Sequence, residues 1–323
     1  MPGYYLGADL GGTNFRIGVR AAGSPDLLLD RESFVAAPDW DCTALGEALR
    51  TGWDRILARH PELGVGADGC LGLGFGLTGD IDPLNGWCRT MPRFAGLEDQ
   101  PLGAHLQAQL GVPVRLLNDG LAATLAELRA GAGMGTRDWL LITLGTGIGC
   151  GVVLGGRLLV GEGGRIGRVG HQVIDLDGPL GCHCGFRGCW QTFAGKEGVT
   201  GRAHTVAATH PDSQLAHALA EHPDLKRITE LADAGDAASR EVLRQTGTYV
   251  GIGLANLVKA FGPQKILVGG GIAENCRWLL DAAQEAVHGW AVKPYQRVPV
   301  VPAGFGKDAG LIGAVLLAEA GVC

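Results

Sequence analysis

Two imidazoles and three thiols crowd into the stretch HQVIDLDGPLGCHCGFRGC, residues 171–189. Cys182, Cys184 and Cys189 with one histidine make a Cys3His set, which fills a tetrahedral zinc site completely and so marks a structural metal. His171 and His183 both stand in range as the fourth ligand. The other six of the nine cysteines are scattered. That distribution fits reduced thiols and metal binding better than a disulfide framework, with free thiols or a redox pair as the other reading.

A second chemistry is written in glycine. Asp9-Leu10-Gly11-Gly12-Thr13-Asn14 sits between two apolar runs. Glycines without side chains let backbone N–H groups approach phosphate oxygens, Thr13 adds a hydroxyl, and Asp9 is placed to orient hydrated magnesium. An ordinary hairpin turn would look similar. The pattern narrows because it recurs. Leu144-Gly145-Thr146-Gly147-Ile148-Gly149 is again a glycine turn between apolar strands, and Gly269-Gly270-Gly271 follows a third strand, where backbone could meet a base or ribose. Two such turns suit a polyphosphate. No GxxxxGK[ST] occurs, and no GxGxxG runs from a strand into a helix with a fitting acidic residue, so a P-loop and a dinucleotide fold are both disfavoured.

Asn118-Asp119 joins an apolar strand to a helix. A carboxylate there serves either as a helix N-cap or, at the carboxyl end of a strand, as a general base taking the proton from a substrate hydroxyl as it attacks a γ-phosphate. Asn118 would then hold the same hydroxyl or its neighbour.

Strands over 4–9 and 15–20, 70–77, 112–117, 139–144, 148–154, 265–268 and 297–301 carry these motifs at their ends. Helices are expected over 44–59, 121–130, 237–260 and 308–320, the first with Leu45, Leu49, Trp53, Ile56 and Leu57 on one face. The segment after Gly269-Gly271 is expected to open directly into a helix. The echo of DLGGTN in LGTGIG points to an internal duplication. Residues 155–189 read as an irregular Gly- and Cys-rich loop. A first domain over 1–118, completed by the last helix (308–323), and a larger one over 119–307 with the metal loop follow from this plan.

Composition agrees with a two-domain globular α/β protein: 323 residues, 46% hydrophobic, and a net charge of -6 that gives no footprint for nucleic acid or an acidic membrane. No signal peptide and no apolar run long enough to span a bilayer is present, and a cytoplasmic location is expected.

Taken together these residues resemble the ROK family of repressors, uncharacterised reading frames and sugar kinases, and its glucokinases in particular. The motifs that carry the resemblance are Asp9 to Thr13, Gly76 to Asp82, Asn118-Asp119, Leu144 to Gly149, Gly170-His171, Cys182 to Cys189 and Gly269 to Gly271. The resemblance implies a two-domain actin-like ATPase (ribonuclease-H-like) fold, ATP and Mg2+, a structural Zn2+, and a homodimer. It implies Asp119 as base, Gly79, Asn118 and His171 as sugar contacts, and His171 as the zinc ligand. Family repressors carry an N-terminal helix-turn-helix; with the first glycine turn starting at Asp9, a DNA-binding repressor is not expected. Where such kinases place two sugar-binding glutamates this chain has Arg168 and Gln191, and Thr78 stands in place of a usual proline. Arginine only donates and a neutral amide accepts more weakly than a carboxylate, so the sugar pocket is expected to differ. Phosphorylation of a hexose, phosphorylation of a modified or acidic sugar, and sugar binding without catalysis are the competing expectations.

Overall fold

The computed structural model describes residues 3–64, 67–178, 180–221, 225–274 and 276–321. Contacts divide the chain into two units. The first comprises Met1–Met134, Arg157–Ile166 and Asp308–Cys323, and the second Gly135–Gly156 and Gly167–Lys307.

In the first unit, strands β1 (Tyr4–Leu10), β2 (Asn14–Ala21), β3 (Asp30–Val35), β4 (Cys70–Leu77) and β7 (Val114–Asn118) form one sheet in the order β3-β2-β1-β4-β7. β2 runs antiparallel to both β1 and β3, whereas β1, β4 and β7 are parallel. A small hairpin, β5 (Asp80–Asp82) with β6 (Trp87–Thr90), lies apart from this sheet. Helices α1 (Cys42–Arg59), α2 (Leu102–Leu110), α3 (Asp119–Ala130) and the last helix, α10 (Ala309–Ala320), belong to the same unit, as does the two-residue strand β10 (Arg157–Leu158). α1 starts where the Asp41 carboxylate accepts the N–H groups of Thr43 and Ala44, both at 2.9 Å, satisfying donors that a helix start leaves orphaned. Its apolar stripe is buried, and the Trp53 indole donates to the Tyr4 hydroxyl at 3.0 Å.

α10 is apolar nearly all round and buried, as a helix covered on several sides must be. It packs on β1, β4 and α3. Glycine makes this possible: a Cβ at Gly74 would collide with the Ala314 carbonyl, and one at Gly313 with the Ala122 carbonyl. The expected boundary at 118/119 therefore moves. α3 is held in the first unit because α10 packs across it, and residues 157–166 return to that unit as well.

The second unit repeats the plan. Strands β8 (Trp139–Leu144) and β9 (Ile148–Leu154) form an antiparallel hairpin, and β11 (Lys265–Gly269) and β12 (Val300–Pro302) continue it in parallel, in the order β9-β8-β11-β12. The echo between the two glycine turns is thus an echo of topology. Helices α4 (Trp190–Ala194), α5 (Lys196–Thr209), α6 (Gln214–Glu221), α7 (Leu225–Asp233), α8 (Ala237–Phe261) and α9 (Arg277–Trp290) complete the unit. α8 is capped by Asp236 and stopped by Gly262 in the left-handed region. Gly269-Gly271 does not open a helix directly: Gly270, at φ +88°, presses the chain against Leu144, and α9 begins only at Arg277. Among the described residues no helix is long and apolar enough to cross a membrane.

Candidate active site and metal centre

Strand register builds the first cluster. Leu10 pairs with Leu77, and Leu77 with Asn118, so three parallel strands end side by side. In an open α/β sheet the carboxyl edge of the strands is where ligands are met. From this edge leave the Gly11-Gly12 turn, the Thr78-Gly79 loop and Asp119. The Gly11 N–H donates to the Asn14 carbonyl at 3.0 Å, closing a tight turn whose Thr13 and Asn14 are exposed. Arg93 lies against the turn, with its Cδ 3.2 Å and its Nε 3.8 Å from where a Gly12 Cβ would stand.

Asn118, not Asp119, is the helix cap. Its Oδ1 accepts the Gly120 N–H at 3.0 Å, while its Nδ2 donates to the Gly79 carbonyl at 3.0 Å and to that of Leu77 at 3.5 Å. Asp119 is the first helical residue and half-buried. Its Oδ1 accepts the Gly120 N–H at 2.8 Å, and its Oδ2 faces the Thr78 hydroxyl at 3.1 Å. The same hydroxyl is 3.2 Å from the Leu10 carbonyl, where the glycine turn begins. A carboxylate and the strand end that leads into the glycine turn thus share one hydroxyl.

Asp9 is buried, and the Arg16 guanidinium grips its Oδ2, with Nε at 3.0 Å. Burial pushes this carboxyl up, against the pull of Arg16. Arg16 also reaches Asp308, which pairs with Arg31 at 2.8 Å.

Gly79 stands at φ +123°, and a Cβ there would collide with the Thr90 carbonyl, so only glycine carries the chain round this bend. The loop that follows is anchored by Arg89, which donates to Asp80 at 3.1 Å, to Asp82 at 2.5 Å and to the Gly163 carbonyl at 2.7 Å. The Asn85 amide, with N–H groups of Asn85 and Leu84, holds the Asp82 carboxyl below the usual carboxylate range.

The second unit holds the cysteine and histidine cluster. One ligand atom from each of His171, Cys182, Cys184 and Cys189 falls within 4.8 Å of the rest. His171 Nδ1 is 3.5 Å from Cys182 Sγ, and Cys184 Sγ is 3.6 Å from Cys189 Sγ. A tetrahedral zinc with bonds of about 2.3 Å to sulfur and about 2.0 Å to nitrogen sets edges of about 3.7 and 3.5 Å, which these two separations match, so the set is compatible with zinc. His183 points its ring edge at His171 and stays outside the set. A knuckle shapes the cluster: Cys182 N–H donates to Phe186 O at 2.8 Å, Gly185 N–H to Cys182 O at 2.9 Å, and Val173 bridges Cys189. Burial and the flanking thiols push Cys189 up to about 12, while Cys184 is lowered, foremost by the Phe186 N–H. Burial, then His183 and Arg168, holds His171 below its usual range, keeping the imidazole neutral as a ligand must be. All eight cysteines among the described residues are unbridged.

Gln191, on α4, donates from Nε2 to Cys182 Sγ and to His183 Nδ1, both at 3.1 Å. Its Oε1 faces the Gly147-Gly170 side, 3.0 and 3.1 Å from where those residues would carry a Cβ. Arg168 is exposed at the start of the short 3-10 turn that ends in His171. The Gly145 N–H donates to Gly147 O at 3.0 Å, and no atom stands within 4 Å of where a Gly145 or Gly271 Cβ would lie. Sequence reasoning brought together the thiols, His171 and each glycine turn. It passed over Arg93, Thr78 as partner of Asp119, and Gln191 as partner of a thiol.

Residues 5–320 match the ROK family. A glucokinase of Halalkalibacterium halodurans is 31% identical over 96% of this chain and 93% of its own. An N-acetylmannosamine kinase of Yersinia pestis is 31% identical over 97% of this chain and 98% of its own. Among solved structures, a ROK family glucokinase from Streptomyces griseus in complex with glucose and AMPPNP superposes with a TM-score of 0.81 at 29% identity, covering 98% of this chain and 99% of that one. The α/β architecture is therefore the actin-like ATPase fold, and the chain belongs to the ROK family.

Proposed function

We propose that the protein is an ATP-dependent sugar kinase that transfers the γ-phosphoryl group of ATP to a hexose hydroxyl, with glucose the leading substrate. The observation that carries the reading is the Thr78 hydroxyl lying between the Asp119 carboxylate and the start of the Gly11-Gly12 turn. Phosphoryl transfer needs a proton acceptor beside a phosphate cradle, and little covalent chemistry from the protein. Asp119 would take the hydroxyl proton. Backbone N–H groups at Gly11, Gly12 and Thr13, with those at Gly145 to Gly147, would hold phosphate oxygens, and Gly269 to Gly271 would meet the nucleoside. Mg2+ arriving with ATP would neutralise β- and γ-oxygens, and Asp9, paired to Arg16, would face its hydration shell only from Oδ1. Gly79, Asn118, His171, Arg168 and Gln191 would read the sugar. His171 Nδ1 is turned to the thiols, which leaves Nε2 for a sugar hydroxyl. A Zn2+ held by His171, Cys182, Cys184 and Cys189 has no open position and would act by fixing the loop.

The test is ADP formation across a sugar panel. Asp119→Ala is expected to lose activity by 10²-fold or more, roughly the contribution of a general base, while calorimetry still finds sugar bound. Near-parental turnover in that variant would sink the reading. Sugar binding by the parent with no ADP from any sugar would instead favour a sensor.

A second reading is specifically favoured by Arg168 and by the engaged amide of Gln191: a kinase for an acylated or acidic sugar, whose acceptor oxygens a guanidinium binds well. The likeness to an N-acetylmannosamine kinase keeps such sugars in the panel. Arg168→Glu with Gln191→Glu should then raise glucose turnover, and no gain would count against it.

A further inference from the structure

Thr78 stands between two acceptors. Its Oγ1 is 3.1 Å from Asp119 Oδ2 and 3.2 Å from the Leu10 carbonyl oxygen, and its backbone N–H also donates to Leu10, at 3.2 Å. Leu10 is the last residue of β1, immediately before Gly11 and Gly12. A hydroxyl carries one proton and two lone pairs, so it cannot donate to both oxygens at once. An ionised carboxylate is the stronger acceptor, so it takes the proton while Asp119 is charged. With the Gly120 N–H on Oδ1 at 2.8 Å, both carboxylate oxygens are then held and the plane of the group is fixed.

We propose that Thr78 is the positioning residue of the base and ties the protonation state of Asp119 to the strand that carries the Gly11-Gly12 turn. This rests on the reading of Asp119 as the base. Before transfer, Thr78 donates to Oδ2. Once the carboxyl has accepted the substrate's proton it becomes a donor; Thr78 Oγ1 then accepts from it, and the hydroxyl proton swings to the Leu10 carbonyl. No proton passes through Thr78. The bond to Asp119 reverses direction, the bond to the Leu10 carbonyl forms, and each protonation state stays satisfied. A side chain of the same shape without the hydroxyl would leave the charged form short of a donor, which raises the pKa of a carboxylate. Asp9, Asp80 and Asp82, which this sheet edge and its loop also carry, are paired with arginine.

The experiment compares Thr78→Val, which keeps the shape, with Thr78→Ser, which keeps the hydroxyl, by measuring kcat and KM for ATP and sugar from pH 5 to 9. Thr78→Val should lower kcat about tenfold, the order expected for a hydrogen bond to a charged group. Its acidic limb should move up by about one pH unit, with KM for ATP little changed. Thr78→Ser should restore both. A Val profile that superposes on the parent, or a Ser variant no better than Val, would overturn the proposal. Thermal melts confirm folding, and Thr78→Ala removes the same hydroxyl should valine not be accommodated. Asp119→Asn separates the two layers. An active Asn variant sinks the base and this proposal with it, whereas an inactive one beside an unshifted Val profile sinks this proposal alone.

Discussion

Gln191 shows how one oxygen exchanged for nitrogen can reassign a side chain. By type it reads as a weakened acceptor for a sugar hydroxyl, yet its Nε2 lies 3.1 Å from Cys182 Sγ and donates to it. A donor against a metal-bound thiolate spreads that sulfur's charge, and such partners of ligands commonly change metal affinity by about 10- to 100-fold. Gln191→Glu would replace the donor by a negative charge facing a thiolate. We expect zinc affinity, read by competition with a chromophoric chelator, to fall about tenfold or more; unchanged affinity would show the contact to be idle. The thiol set was legible because its members lie within eight positions of one another along the chain, so spacing alone constrained them. The roles of Gln191 and Thr78 were not. Thr78 meets partners 68 and 41 positions away, and only sheet register brings those together.

Among the elements, the glycines under α10 carry the tightest packing. Gly313→Ala would drive a methyl group into the Ala122 carbonyl of α3, where backbone has no room to give. Overpacking of this kind costs about 3 kcal/mol, and the thermal melt should fall accordingly. Gly289, near the end of α9, offers the contrast: no atom stands within 4 Å of its added Cβ. Gly289→Ala should hold or raise stability by about 0.5–1 kcal/mol. Equal effects at the two sites would refute this reading of the packing. Strands such as Tyr4–Leu10 and Trp139–Leu144 were readable from apolar runs bounded by glycine. The ownership of α3 was not readable, since it depends on a helix some 180 residues later, and neither was the delayed start of α9, which follows from the left-handed turn at Gly270.

At the scale of the whole molecule, each unit rests on its own sheet, and the metal loop belongs to the second alone. We propose that zinc fills the Cys3His set; because a closed metal site contributes directly to local folding, its removal with a strong chelator should loosen residues 171–189 and lower both the melting temperature and sugar affinity. A stripped protein that binds sugar as before would break the link between the loop and the pocket. The interrupted tracing of the first unit has a consequence for biosynthesis. Its sheet lacks the cover of α10 until residues 309–320 have been made, whereas every strand and helix of the second unit precedes them. Without those residues the later-starting unit can therefore close on itself, while the earlier one is left with an apolar face bare. Truncated chains, released and ending just short of residue 309, should resist protease over 167–307 and be cut within the first 134 residues, the reverse of the usual N-to-C order of maturation.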